Sequence, residues 1–332
     1  MNRRAAIGSI AGAAGVALLA ATSRPFETLS IGAMPPGTSW YVFAATLARL
    51  LESQLPADIN IEIMARGGGT GNPTLVQRNL VTMAISQLAT AVWARDGHPE
   101  AFHSKRHPGL RALVGGLNSV WATAMVTRSY LSATGADTLE KALLSPKAPR
   151  IVMKPPGSTV PIVADMILES LGTGRADIKA RGGDIIQVSA NQIPDLLRDG
   201  RADLYFETAL KGHPTVTEIA TTVGVHFLDL PDSVISDLAR HGLKPSLLPV
   251  WFKGQTQPTK AVDCGTILIA HQDLPEERAY LITRTVCENR GAMVQAHRAW
   301  ADFDPARGGS LEATGIPLHD GAARYFREKA WI

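Results

Sequence analysis

The chain has 332 residues, enough for two domains of ordinary size, and its 45% hydrophobic content allows a packed core. Lys and Arg number 33 against 30 Asp and Glu, a formal net charge of +3, so the basic excess of a nucleic-acid-binding protein is absent. The two cysteines belong to no Cys/His cluster, which argues against a structural metal site, and no cofactor fingerprint is complete.

The N-terminus reads as a targeting segment, residues 1–23. Arg3 and Arg4 form a basic start, Ala5 to Ala21 is small and apolar without acidic residues, and Ala21-Thr22-Ser23 offers a cleavage site. The mature chain is then expected to begin near Arg24, outside the cytoplasm, exported by a secretory (Sec) or a twin-arginine (Tat) signal. Such a compartment permits a disulfide, but Cys264 at the start of a strand and Cys287 in the next helix read as two buried thiols.

Leu29 to Gly32 is a short apolar strand, followed by the turn-forming run Pro35-Pro36-Gly37-Thr38-Ser39. Trp40, Phe43, Leu47, Leu50 and Leu51 then recur at helical spacing, with Thr38 or Ser39 as the cap. Strand, tight loop and helix N-terminus in that order point free N–H groups and a positive dipole end beyond the strand's carboxyl edge. An ordinary βα unit without a ligand has the same pattern, so this stretch alone does not decide. Ile59 to Met64 alternates as a second strand. The Gly67-Gly68-Gly69-Thr70-Gly71 loop follows, and Asn72 and Pro73 read as N-cap and first helical residue. The loop lacks the Gly-Lys-Ser/Thr ending of a nucleotide P-loop. A strand from Val81 ends at Gln87.

Two apolar pieces lie between Leu110 and Thr127, and Arg150 to Met153 is a strand. Lys154-Pro155-Pro156-Gly157-Ser158-Thr159 then repeats the opening theme ahead of a helix ended by Gly172. A strand is expected at Ile178 to Arg181. Ser189 and Gln192 can form a capping box, and a later helix start at Pro194, capped by Asn191, fits the pattern equally well. Ala202 to Glu207 is a buried strand, His213-Pro214 starts a helix, and Ser246 to Lys260 reads as a connection. Cys264 to His271 is a strand, and Asp273-Leu274-Pro275-Glu276 reads as a capping box for the long helix after it. Strands alternate with helices up to about Val120 and again after Thr127, which implies an α/β protein with two lobes facing across a cleft. The expected division is 24–120 with 269–332 for the first lobe and 121–268 for the second.

Read together, these pieces resemble the solute-binding subunit of a tripartite ATP-independent periplasmic (TRAP) transporter, TAXI branch. The resemblance rests on Ser30-Ile31-Gly32 with Trp40-Tyr41, on Gly67 to Asn72, on Ala84-Ile85-Ser86-Gln87 and on Pro155-Pro156-Gly157-Ser158. Ala209 to Pro214, Lys253 to Thr256, Asp273 to Glu277 and Ile316 to Gly321 complete it. It implies a type II periplasmic binding-protein fold: two α/β lobes with parallel or mixed sheets, joined by two hinge crossings. It implies no catalysis, and hand-over of a small solute, in this family often an amino acid or carboxylate, to an integral-membrane TRAP permease. The helix N-termini favour an anionic group and a Glu207 that faces the cleft an ammonium or hydroxyl, so the residues themselves point to an amino-acid-like or hydroxylated carboxylate. The chain is read as a monomer with no cofactor, no metal and no nucleic-acid partner. Its first loop differs from the family's Gly/Ser/Thr-rich pattern, because prolines 35 and 36 remove backbone donors.

Candidate ligand contacts follow from strand ends and helix starts. They are Thr38, Ser39, Trp40 and Tyr41 on the first helix, Gly68 and Gly69 in the glycine loop, Gln87, Ser158, Thr159, Glu207 and His213. Adjacent helical residues point about 100° apart, so Trp40 and Tyr41 are not both expected to face a ligand, and the resemblance implies Tyr41, which matches an aromatic position of the family. Glu207 either pairs with a cation or meets a polar ligand. Arg66 and Arg181 are further candidates to clamp a carboxylate. An enzyme would need a nucleophile–base pair or metal cluster that the sequence does not display. A periplasmic sensor that hands its liganded form to a signalling receptor has the same sequence features as a transport receptor.

Overall fold

The computed structural model describes residues 27–55 and 59–332, so the expected targeting segment lies outside the described residues. Twelve strands in two sheets carry the described chain: β1 (Glu27–Gly32), β2 (Ile59–Met64), β3 (Met83–Gln87), β4 (Leu110–Asn118), β5 (Trp121–Thr127), β6 (Arg150–Met153), β7 (Asp184–Gln187), β8 (Leu204–Ala209), β9 (Val225–Leu228), β10 (Lys244–Leu248), β11 (Thr259–Asp263) and β12 (Thr266–His271).

The first sheet has the order β2-β1-β3-β12-β4. β1 runs parallel to β2 and β3, and β12 lies antiparallel between β3 and β4. Position in the sheet explains the residue patterns. β2, on the edge, alternates from buried Ile59 and Ile61 to exposed Asn60 and Glu62, whereas β12, with strands on both sides, is buried along its whole length. The second sheet has the order β10-β11-β5-β8-β6-β7, with β9 also paired to β5. β7, β6 and β8 run parallel, while β5, β11 and β10 are antiparallel. The architecture is therefore α/β with two mixed sheets.

The chain passes between the sheets twice, between Asn118 and Trp121 and between Asp263 and Thr266. β12 thus belongs to the first sheet from Thr266 onward, whereas the sequence reading divides this strand between 268 and 269. Asp263 fixes both crossings at once. Its Oδ1 accepts the backbone N–H of Val120 and of Gly265, each at 2.8 Å.

Four local expectations are corrected. Asp273 and Glu276 do not form a capping box, because the helix Glu276–Glu288 starts from Pro275 without a side-chain cap. Ile178 to Arg181 is not a strand but the end of the helix Arg175–Ala180 with its C-cap Arg181, and the strand is β7, after the Gly182-Gly183 turn. One buried apolar residue, Ile178, amid polar neighbours marks a single helical turn against the core rather than a half-buried strand. The Ser246–Lys260 connection holds the ends of the antiparallel pair β10–β11. β10 is a largely exposed edge strand containing Pro245, so it carries little hydrophobic signal. Asn72 is not a cap. The helix starts at Gly71, and the Asn72 side chain turns inward. Of the two helix starts the sequence offered here, the Ser189–Gln192 capping box forms, around a 3-10 turn, Ala190–Gln192, that leads into the helix Ile193–Arg198. Cys264 and Cys287 are buried and free. No helix among the described residues is long and apolar enough to cross a membrane.

Candidate functional site

The carboxyl ends of strands from both sheets meet at one cavity of about 30 Å³, lined by Met34, Thr38, Ser39, Trp40, Gly69, Gln87, Val120, Lys154, Ser158, Thr159, Thr208, Leu210 and His213. Its volume is on the order of that of a water molecule or two. The residues come from the loop after β1, the glycine loop after β2, the end of β3, the loop after β6 and the end of β8, so both sheets contribute to one small space.

Each wall has a local cause. Thr38 Oγ1 accepts the Tyr41 N–H at 3.3 Å and donates to the Pro35 carbonyl at 2.8 Å, which fixes the entry of the Ser39–Glu52 helix. This points Trp40 into the cavity, while half-buried Tyr41 does not line it. Asn72 ties the glycine loop to the strands beneath. Its Oδ1 accepts from Gly68 N at 3.2 Å, and its Nδ2 donates to the carbonyls of Gly32 at 3.2 Å and Ile85 at 2.7 Å. Ser158 Oγ accepts the Val160 N–H at 3.2 Å at the start of the Val160–Ser170 helix.

The two sheets touch through these loops. Thr70 N donates to Gly157 O at 3.1 Å. A Cβ on Gly68 would stand 2.4 Å from that same carbonyl, and one on Gly69 would stand 1.6 Å from Thr159 Oγ1. Only glycine permits this approach. Gly68 itself does not line the cavity.

Beneath the cavity lies a buried ionic cluster that sequence reasoning only half anticipated. Lys154 Nζ donates to Glu207 Oε1 at 2.7 Å, with side chains 5% and 0% exposed. Thr208 N donates to the same oxygen at 2.7 Å, and the Tyr205 hydroxyl donates to Oε2. Burial pushes the Glu207 carboxyl up, but Lys154, His213 and the hydrogen bonds from Lys154 and Tyr205 prevail and hold it below its ordinary value. Burial and the neighbouring carboxylate raise the Tyr205 phenol well above its ordinary value. His213 caps the Pro214–Thr222 helix, with Nδ1 accepting Val216 N–H at 3.3 Å and Nε2 standing 3.7 Å from Glu207 Oε2. Burial lowers its pKa to about 4 against the opposing pull of Glu207, so the ring is neutral near pH 7.

Of the residues singled out from sequence, Thr38, Ser39, Trp40, Gly69, Gln87, Ser158, Thr159 and His213 line the cavity. Tyr41, Gly68, Glu207, Arg66 and Arg181 do not. Glu207 stands behind Lys154, and Arg181 is engaged with Ser145 O and Thr173. Sequence reasoning missed Lys154, Thr208, Met34, Val120 and Leu210. Lys154 had a signal, a single cation directly after an apolar strand and before a proline–glycine turn.

Ser39 Oγ, Gln87 Oε1 and Thr159 Oγ1 are buried at this cavity and have no hydrogen-bond partner among the described residues. Two hydroxyls able to donate and one amide oxygen able to accept therefore belong to residues around a space that Lys154 also lines, at the N-termini of two helices. Such a set binds a small polar group bearing both acceptors and donors.

Two mixed sheets, two crossings and a cavity at the strand ends between them match periplasmic binding-protein folds. The chain belongs to the NMT1-like family, whose family profile matches residues 31–330. Among solved structures, it is similar to the alkanesulfonate-binding protein SsuA from Xanthomonas axonopodis pv. citri bound to MOPS, at 14% identity and a TM-score of 0.45, covering 90% of this chain and 83% of that one. The periplasmic aliphatic sulphonate binding protein SsuA from Escherichia coli is similar at 13% identity and a TM-score of 0.45, over 91% of this chain and 78% of that one. The ligand-binding component of an ABC-type import system from Staphylococcus aureus, with zinc bound, is similar at 11% identity and a TM-score of 0.47, over 90% and 84%.

Proposed function

We propose that this protein is an extracytoplasmic solute-binding receptor. It captures a small polar solute, amino-acid-like or a hydroxylated carboxylate, between two lobes and delivers it to a membrane permease of the TRAP type. The first lobe is built on the first sheet, 24–120 with 266–332 once β12 is counted whole, and the second, 121–265, on the second sheet. The observation that carries this reading is the set of three buried polar atoms without partners, Ser39 Oγ, Gln87 Oε1 and Thr159 Oγ1, drawn from both sheets onto one cavity. A buried polar atom costs free energy unless a ligand or water satisfies it. A solute that bonds atoms from both lobes favours their closure over any open arrangement. The N-termini of the Ser39–Glu52 and Val160–Ser170 helices favour an anionic end, and Gln87 Oε1 calls for an N–H or O–H donor.

No reaction is assigned. Ser158 Oγ faces a backbone N–H, and the His213 nitrogens face a backbone N–H and the Glu207 carboxylate, so Ser158 and His213 do not pair as nucleophile and base.

Protein purified from its native host tests the reading by mass spectrometry of the small molecules it releases on denaturation. A single polar solute released at near-equal stoichiometry, and taken up by membranes carrying a TRAP permease only when the receptor is added, is the expected result. Release of no solute would overturn the receptor reading. Uptake that is independent of the receptor would overturn the permease partner.

A further inference from the structure

We propose that Glu207 sets the charge of the solute the cavity accepts: by neutralising Lys154 it tunes the site to a solute of no net charge in preference to a simple anion. The inference rests on the receptor reading above and adds to it the residue that discriminates by charge.

The geometry separates the two partners by role. Lys154 lines the cavity, while Glu207 stands behind it and does not. Glu207 is held from its own strand by the Tyr205 hydroxyl and by Thr208 N at 2.7 Å, so it has little freedom to leave. Among the described residues, Glu207 Oε1 is the one acceptor bonded to Lys154 Nζ. An ammonium has three N–H donors, so two remain for the cavity. The pair thus offers the solute hydrogen-bond donors whose charge is already balanced.

Of the cavity-lining residues, Lys154 is the one Lys or Arg, and neither Asp nor Glu occurs among them. A solute carboxylate placed against Lys154 would share that ammonium with Glu207, and two carboxylates would then be buried against one cation. A solute that carries its own ammonium restores the balance, and Gln87 Oε1, buried and without a partner among the described residues, is an acceptor for it. The helix N-termini assist the carboxylate end in either case, so the difference between a zwitterion and an anion of the same size falls on the Lys154–Glu207 pair. Removing the Glu207 charge leaves a buried ammonium that a bound anion can neutralise.

The test titrates acetate and glycine, an anion and a zwitterion of nearly equal size, into wild type and Glu207→Gln by calorimetry at neutral pH. Acetate is expected to bind Glu207→Gln at least about tenfold more tightly than wild type, with glycine gaining less. The double variant Lys154→Met/Glu207→Gln should return acetate affinity to the wild-type level. Glu207→Asp, which keeps the charge but withdraws it by one methylene, should give a smaller gain in the same direction, and it serves if Glu207→Gln does not fold. Acetate affinities within about twofold across wild type and the single variants, no acetate binding to any of them, or a gain that persists without Lys154 would overturn the proposal. Because acetate and glycine stand apart from the native solute, the outcome is independent of the solute-release experiment.

Discussion

Thr159 Oγ1 and Ser39 Oγ are buried in residues that line the cavity, and neither has a partner among the described residues. Replacing either with an isosteric or smaller apolar group, Thr159→Val or Ser39→Ala, removes one bond to the solute and leaves the fold untouched. The expected loss is about 1–3 kcal/mol of binding, tenfold or more in affinity, by calorimetry with the released solute. Tyr41→Ala, by contrast, should leave affinity within about twofold, since Tyr41 stands outside the cavity. His213 carries a pH dependence. Its folded pKa of about 4 lies below the ordinary 6.5, so the unfolded chain binds the extra proton first as pH falls. Stability from this group is full above 6.5 and is lost as pH falls through about 4, a change on the order of 3 kcal/mol. Glu207, also lowered, acts in the same direction. Urea unfolding should therefore show a clear loss of stability from pH 7 to pH 4.5, reduced in His213→Asn. An equal slope in both proteins would remove His213 from the account.

Asn72 and the glycine loop show how an element is held by one side chain. Asn72→Ala strands Gly68 N, Gly32 O and Ile85 O, all buried or nearly so. A cost of about 2–4 kcal/mol is expected from leaving such groups unmatched, read as a fall in calorimetric Tm. Gly69→Val acts differently. Its side chain would collide with Thr159 at 1.6 Å only when the loops of the two sheets are together, so it should abolish solute binding with little change in Tm. Much of this was legible beforehand. Strand ends, capping residues and glycine runs are local signals, and they located Thr38, Gly69, Gln87, Ser158 and His213 at the cavity. What remained hidden depends on long-range register. β6 pairs with β8 as Ile151 with Leu204 and Val152 with Tyr205, and continuing that offset sets Lys154 opposite Glu207. A lone lysine after a strand otherwise reads as solvated, and only this pairing shows that it is buried. Asn72 was misread for the same reason, since its bonds run to Gly32 and Ile85. β7 and β10 were missed because neither strand is fully buried along its length.

At the scale of the molecule, the two sheets are in contact at more than the cavity. Thr70 N meets Gly157 O at 3.1 Å, Trp93 Nε1 donates to His241 O at 2.7 Å, and Lys244 Nζ donates to Glu312 O at 3.1 Å. A cavity of about 30 Å³ is smaller than an amino acid, so the proposed capture requires these contacts to part and the crossings at Asn118–Trp121 and Asp263–Thr266 to flex. Capture between two lobes that close is thus the central claim, and small-angle X-ray scattering of the solute-free and solute-saturated protein tests it most directly. The account predicts a smaller radius of gyration with solute bound, and no change for Gly69→Val. Identical scattering of the wild-type protein with and without a solute that calorimetry shows to be bound would contradict it.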